Sequence, residues 1–172
     1  VQYLPRINRW KTIWSRYKTY RSYRDFFVNG PNIHIQKFVG LNSKNPTYCT
    51  LEDILEETAS DDIFLKIDIE GSEYRLLTTL VNYASRITGL VIELHDCDLH
   101  LMKIEHFIKN FDLCLVHVHA NNFGPIRSDD ELPMALELTF SRYAERGDKK
   151  DLPHHFDMPN NRFTDEIKLT II

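Results

Sequence analysis

The sequence predicts an α/β fold built on a parallel sheet, and three observations predict it. Apolar runs of strand length alternate with helix-patterned segments in the order strand, helix, strand, helix, strand. That is the rhythm of parallel strands joined by right-handed crossovers. The runs are nearly free of polar residues, as in strands covered on both faces. The sharpest stretch, residues 63–73, reads I-F-L-K-I-D-I-E-G-S-E: a β-branched strand ending in Asp68 and Glu70, a tight turn at Gly71 and the start of a helix. Acids at the carboxyl end of such a strand sit where open α/β sheets receive ligands.

Taken in order, residues 6–24 space Ile7, Trp10, Trp14, Tyr17 and Tyr20 three or four apart, a helical stripe flanked by basic residues. Aromatic stripes of this kind are usually packing surfaces. The stripe is therefore read as packed on the domain, ahead of a nucleic-acid or membrane-surface role. Gly30-Pro31-Asn32 marks a turn, residues 33–39 a short alternating strand stopped at Gly40, and residues 42–46 a polar loop. Thr50 and Asp53 form a T-x-x-D capping box that opens a helix through about Glu57, with Leu51, Ile54 and Leu55 inward.

The strand over residues 63–69 puts Ile63, Leu65, Ile67 and Ile69 on one face and Phe64, Lys66 and Asp68 on the other. Its helix, residues 72–84, buries Leu76, Leu77, Leu80 and Val81. A second strand, residues 90–94, ends in Glu93-Leu94-His95-Asp96. The helix of about 99–110 uses Leu101, Ile104 and Ile108, then Phe111. A third strand, residues 113–119, runs into Ala120-Asn121-Asn122. After a turn-rich loop, residues 135–140 and 167–172 read as strands, separated by a polar, proline-containing loop over 146–161.

A length of 172 residues suits one domain with a sizeable core. Residues 1–30 would form a basic, aromatic helical arm or insertion, and residues 31–172 the α/β core. Hydrophobic and charged fractions of 42% and 27% are ordinary for a globular domain. No run approaches the ~20 apolar residues of a membrane span, and no signal-peptide pattern opens the chain. The first residue is Val1 rather than Met, so the chain reads as a fragment, a processed form or an incompletely called sequence.

Cys49, Cys97 and Cys114 are odd in number and far apart. This argues against a disulfide framework or zinc site and for a reducing, cytoplasmic setting. The first 24 residues hold seven basic residues and no acid; subtracting these from the 21 leaves 14 against 25 acids, a formal −11 for the remainder. Such asymmetry can mark an arm that faces nucleic acid or membrane, although no motif points clearly to nucleic acid.

Three successive strands end in polar clusters: Asp68/Glu70, Glu93/His95/Asp96 and His117/His119/Asn121/Asn122. Parallel strands ~4.8 Å apart would line all three along one sheet edge, within reach of one small molecule. Asp68 can hold a hydroxyl or cationic group, or act as base, whereas Glu70 can equally cap the following helix. Glu93 and His95 lie two apart, an acid placed to orient an imidazole. The H-x-H pair of His117 and His119 could chelate a metal, but a hydrogen-bonded pair at a strand end is the plainer reading. Asn121 and Asn122 either form a turn or aim amides at a ligand. The sequence contains no Walker loop, H-E-x-x-H, G-x-S-x-G or G-x-G-x-x-G.

The residues 65–73, L-K-I-D-I-E-G-S-E, preceded by T-L-E-D-I-L at 50–55 and followed by V-I-E-L-H at 91–95, resemble the FkbM-type methyltransferases. There a "tlddll" helix, a "KIDvEGaE" strand-turn-helix and a "vEiH" strand follow in this order. His119-Ala120-Asn121-Asn122 and Leu136-Glu137-Leu138-Thr139-Phe140 are similar to the "HgNN" and "LElTf" segments of one branch. The resemblance spans roughly residues 33–140. It implies a class I, Rossmann-like sheet with an antiparallel C-terminal strand, S-adenosylmethionine as cofactor, and O-methylation of a small-molecule or sugar hydroxyl. Asp68 would lie between cofactor and acceptor, and Gly40-Leu41 in the adenine loop. The family's first strand and glycine-rich loop have no counterpart in the chain and would precede Val1.

The resemblance therefore implies an N-terminally truncated domain carrying mainly the acceptor side, with an open sheet edge at the 63–69 strand that invites self-association. Asp68, Glu93, His95 and His119 are the candidates for catalysis. Gly40, Leu41 and Asp68 are those for cofactor binding, and Glu70, His117, Asn121 and Asn122 those for the acceptor. The less favoured alternatives are a metal-dependent hydrolase using His117, His119, His95 and Asp68 or Asp96, and a non-catalytic domain whose 6–24 helix meets RNA or a membrane.

Overall fold

A computed structural model describes residues 9–40, 42, 44–144 and 152–169. The chain begins with α1, Arg9–Tyr23, continued by one π-helical turn over Arg24–Val28. Of the aromatic stripe, Trp14, Tyr17 and Tyr20 are exposed rather than packed on the domain as expected, Trp14 by 61%, and the side chain of Trp10 lies outside what is described. Periodicity defines a stripe, but it does not supply the surface that would cover it. Residues 6–8 lie outside the described residues.

The strand expected over 33–39 is reduced to β1, Phe38–Val39, paired in parallel with β2, Tyr48–Cys49. The preceding stretch alternates in sequence but has no ladder partner among the described residues, and Ile33 is 83% exposed. The capping box forms as read: Thr50 Oγ1 accepts from the Asp53 amide at 2.9 Å, and Asp53 Oδ2 from the Thr50 amide at 2.9 Å. It opens α2, Leu51–Glu57, which buries Leu51 and Leu55.

The main sheet has four strands: β3 (Ile63–Ile67), β4 (Ile87–Leu94), β5 (Cys114–Ala120) and β6 (Leu136–Ser141), in the spatial order β3-β4-β6-β5. β3 and β4 are parallel, and β6 runs antiparallel to both β4 and β5. Hence β3, β4 and β5 point the same way and end at one edge. β6 is inserted between β4 and β5, so the third cluster lies two strand spacings from the second rather than one. β4 begins at Ile87, earlier than expected. The helix expected over 72–84 is broken into a 3₁₀ turn at Glu73–Arg75, α3 (Leu77–Asn82) and a second 3₁₀ turn at Ala84–Arg86.

One face of the sheet is apolar and carries the core. Leu90, Ile92 and Leu94 of β4 and Leu138 and Phe140 of β6 pack with Leu77 and Leu80 of α3 and with Ile104 and Phe107 of α4 (Cys97–Asn110). Phe107, which the periodic reading passed over, stacks on Phe111 with ring centroids 4.8 Å apart, and Phe140 meets both edge-on.

Among the described residues, no helix covers the opposite face as expected. That face presents Phe64, Lys66, Glu93, Glu137, His117 and His119, and the segment over 152–169 reaches it through contacts of Asp157 with His117 and of Glu166 with His119. The described part of the strand expected at 167–172 is irregular: Ile167 and Leu169 rest on the core without joining a ladder, and residues 170–172 lie outside the described residues.

Candidate active site

Both parallel strands β3 and β4 are followed within three residues by one with left-handed backbone, Glu70 (φ 54°) and Asp96 (φ 50°), and Gly71 follows Glu70 at φ 92°. Non-glycine residues in this region are uncommon and persist where the surroundings hold them. At the first turn the holding group is Glu73. Its carboxylate, fully buried, turns back to accept the Ile69 amide at 3.0 Å and the Gly71 amide at 3.0 Å. Glu73 sits in the 3₁₀ turn that follows, so the capping carboxylate comes from inside the helix rather than from Glu70.

The same carboxylate fixes the imidazole of the second cluster. His95 Nδ1 lies 3.2 Å from Glu73 Oε1. The far ring nitrogen, Nε2, faces Glu70 Oε2 at 3.6 Å and Glu93 Oε1 at 3.9 Å. The hydroxyl of Tyr74 donates to the His95 carbonyl at 2.6 Å, which pins the backbone at that point. Asp68, Glu93 and His95 each bring one oxygen or nitrogen to within 4.8 Å of the others. Glu93 is anchored in turn, since Asn121 Nδ2 donates to its Oε1 at 2.6 Å and Asn121 Oδ1 accepts from the Phe123 amide.

Asp68, Glu93 and His95, with Glu70 beside them and Asn121 behind, thus meet at the carboxyl edge of the sheet. The remaining candidates lie on the polar sheet face. Glu93, Glu137 and His119 form one row in register across three strands. His119 Nε2 is 3.3 Å from Glu166 Oε2, and His117 Nε2 is 2.9 Å from Asp157 Oδ1, close but without the alignment of a hydrogen bond. The buried amide of Asn122 donates to the Asn161 and Thr164 carbonyls and accepts from the Asn161 amide, stapling residues 161–164 to the end of β5. His117 and His119 do not join His95 and Asp68, the set that a hydrolase would need; among the described residues the one cluster of metal-ligand spacing is Asp68, Glu93 and His95.

A cleft of about 740 Å³ opens beside the acids, lined by Phe38, Gly40, Tyr48, Ile69, Glu70 and Arg75 among others. Gly40 lets the Tyr48 ring lie close: a β-carbon at this position would stand 2.8 Å from that ring and push it aside. Leu41 lies outside the described residues. The mixture of two aromatic rings, asparagine amides and an adjacent acid fits the nucleoside portion of a cofactor.

The roles of Glu73 and Asn121 were not drawn from the sequence. Glu73 lies two residues after a strand-end glycine, in range of the turn's own amides, and that spacing was the available signal. Asn121 meets Glu93 only through the β4-β6-β5 order, which no local pattern encodes.

Compared with protein families, residues 10–143 match the methyltransferase FkbM domain. No curated protein and no solved structure matches the chain. The matched region runs from α1 past the end of β6 and includes the whole of the acidic strand-end cluster, so the chain belongs to the FkbM methyltransferase family.

Proposed function

We propose that the chain is part of an S-adenosylmethionine-dependent O-methyltransferase acting on a small-molecule or sugar hydroxyl. The observation that carries this reading is the meeting of Asp68, Glu93 and His95 at a sheet edge next to a cleft with aromatic and amide walls. The cofactor would supply an electrophilic methyl group, which the acceptor oxygen attacks as the carbon–sulfur bond breaks and its electron pair stays on sulfur.

The chain's own residues do the rest. Phe38, Gly40 and Tyr48 shape the wall for an adenine, and Glu70 borders the cleft on the side of Asp68 and the acceptor. Asp68, Glu93 and His95 orient the acceptor hydroxyl, and one of them takes its proton, general-base work worth ~10²–10⁴-fold in rate. His117, His119 and Asn122 bound the acceptor's far side by holding the 152–169 segment over the polar sheet face.

We further take residues 1–172 as one methyltransferase-like unit with a basic arm over 1–30. Three free thiols fit a cytoplasmic setting. β3 is an edge strand, which fits self-association.

The test is transfer of a radiolabelled methyl group from S-adenosylmethionine to a panel of sugars and hydroxylated natural products. Asp68→Ala and His95→Ala should each lower turnover at least ~100-fold while their thermal melts stay cooperative. Undiminished turnover in both would remove the proposed site.

A further inference from the structure

The trio at the end of β3 and β4 has the support that a metal site needs. Asp68 and Glu93 offer hard oxygens and His95 one nitrogen, all within 4.8 Å of one another. Behind the ring, Glu73 is fully buried, accepts two backbone amides and lies 3.2 Å from His95 Nδ1. Nδ1 is turned to Glu73, so Nε2 is the ring nitrogen that faces Glu93 and Glu70. A carboxylate behind an imidazole is how proteins orient a ligating histidine and raise its basicity. Behind Glu93, Asn121 Nδ2 donates at 2.6 Å to Oε1, the oxygen that lies 3.9 Å from His95 Nε2. Two of the three ligands are therefore fixed from behind by groups that themselves have defined partners.

We propose that Asp68, Glu93 and His95 Nε2 bind a divalent cation of the Mg²⁺/Mn²⁺ class. Two carboxylates and one imidazole suit a hard, six-coordinate ion, and three protein ligands leave positions open for water and for one oxygen of an acceptor. Carboxylate and imidazole atoms now up to 4.8 Å apart would draw in by about an ångström or more to meet ligand distances of ~2.1 Å. The exposed side chain of Asp68 has the freedom to do so. The inference rests on the methyltransferase reading only for the ion's use: a hydroxyl drawn to the cation ionises more readily and is held for attack.

The chain, stripped with chelator and dialysed, is titrated with Mn²⁺ while the electron paramagnetic resonance signal of the free aqua ion is followed. One Mn²⁺ per chain is expected, displaced by excess Mg²⁺ and weakened at least tenfold in Asp68→Asn, Glu93→Gln and His95→Ala. Glu73→Gln, a positioning change, should weaken it ~10–100-fold. No binding by the wild type up to about 1 mM Mn²⁺, or equal binding by all three ligand variants, overturns the site. Asp68→Asn, at an exposed position, serves where His95→Ala fails to fold. Methyl transfer measured alongside separates the two claims. Mn²⁺ bound without transfer to any acceptor leaves the cation site and removes the enzyme reading; transfer undiminished in chelator by a chain that binds no Mn²⁺ does the reverse.

Discussion

Two neighbouring residues behind the site, Tyr74 and Cys97, have their chemistry set by burial. Cys97 opens α4, where a helix N-terminus would ordinarily favour a thiolate. Here burial outweighs that effect and pushes the thiol up to about 11, against partial relief from the Tyr74 hydroxyl. The thiol donates to the Leu94 carbonyl at 3.2 Å and stays protonated at neutral pH. Tyr74, whose hydroxyl donates to the His95 carbonyl, is likewise raised above its ordinary value, mainly by burial and then by the neighbouring Cys97. Both groups bind their proton more tightly folded than unfolded. Their contribution to stability is therefore complete below the unfolded thiol value of about 9 and falls away as pH rises toward 11. Melting temperature should accordingly hold steady to about pH 9 and then drop, with a shallower drop in Cys97→Ala; an identical slope in that variant would refute the assignment. None of this was legible in the sequence, where Cys97 read only as one of three scattered thiols. Burial is a property of the packed core and not of a residue's neighbours in the chain.

Local chemistry determined some elements and long-range packing determined others. The start of α2 was readable because a capping box is a contact across three residues, and Thr50→Ala should cost about 1 kcal/mol. The end of α2 was not. Arg86, 29 residues beyond Glu57, sends its guanidinium back to the Leu55, Thr58 and Ser60 carbonyls and to Asp61, tying the helix to the start of β3. This uses the planar fork, so Arg86→Lys should destabilise by about 1–3 kcal/mol although charge is kept. Urea melts of the two variants check both figures, and a lysine variant as stable as wild type would show that charge alone suffices. The same contrast holds for strands. β3, β4 and β5 were visible as apolar runs, and their common direction followed from the intervening helices. The position of β6 between β4 and β5 was invisible, because pairing order is a property of the sheet. That insertion is what separates His117 and His119 from Asp68 and His95 while leaving Asn121 in reach of Glu93.

For the molecule as a whole, the unsatisfied features gather at two places, the free edge of β3 and the aromatic surface of α1. β3 pairs with β4 on one side, and no described strand pairs with its other side. Phe64, 66% exposed, lies over Gly89, where a β-carbon would stand 2.5 Å from its ring, so the edge presents an aromatic surface next to open backbone groups. Natural edges are usually blunted by charge, proline or a bulge. β3 offers Lys66, whose ammonium lies 3.9 Å from Glu137, and one register shift against β4 between Ile63 and Phe64. Trp14, Tyr17 and Tyr20 of α1 are also exposed, but they are flanked by like-charged Arg16, Lys18 and Arg21, which oppose pairing of two such helices. The edge is therefore the expected seat of self-association. Sedimentation velocity should show a weight-average coefficient that rises with concentration. Phe64→Glu, which puts a charge on the edge, should raise the dissociation constant at least ~tenfold, and Trp14→Ser should leave it nearly unchanged. A single monomeric species across a hundredfold dilution would mean that the edge is closed in solution; loss of association in Trp14→Ser alone would move the interface to α1, with arginine-to-carboxylate contacts then required to overcome the repulsion between the basic flanks.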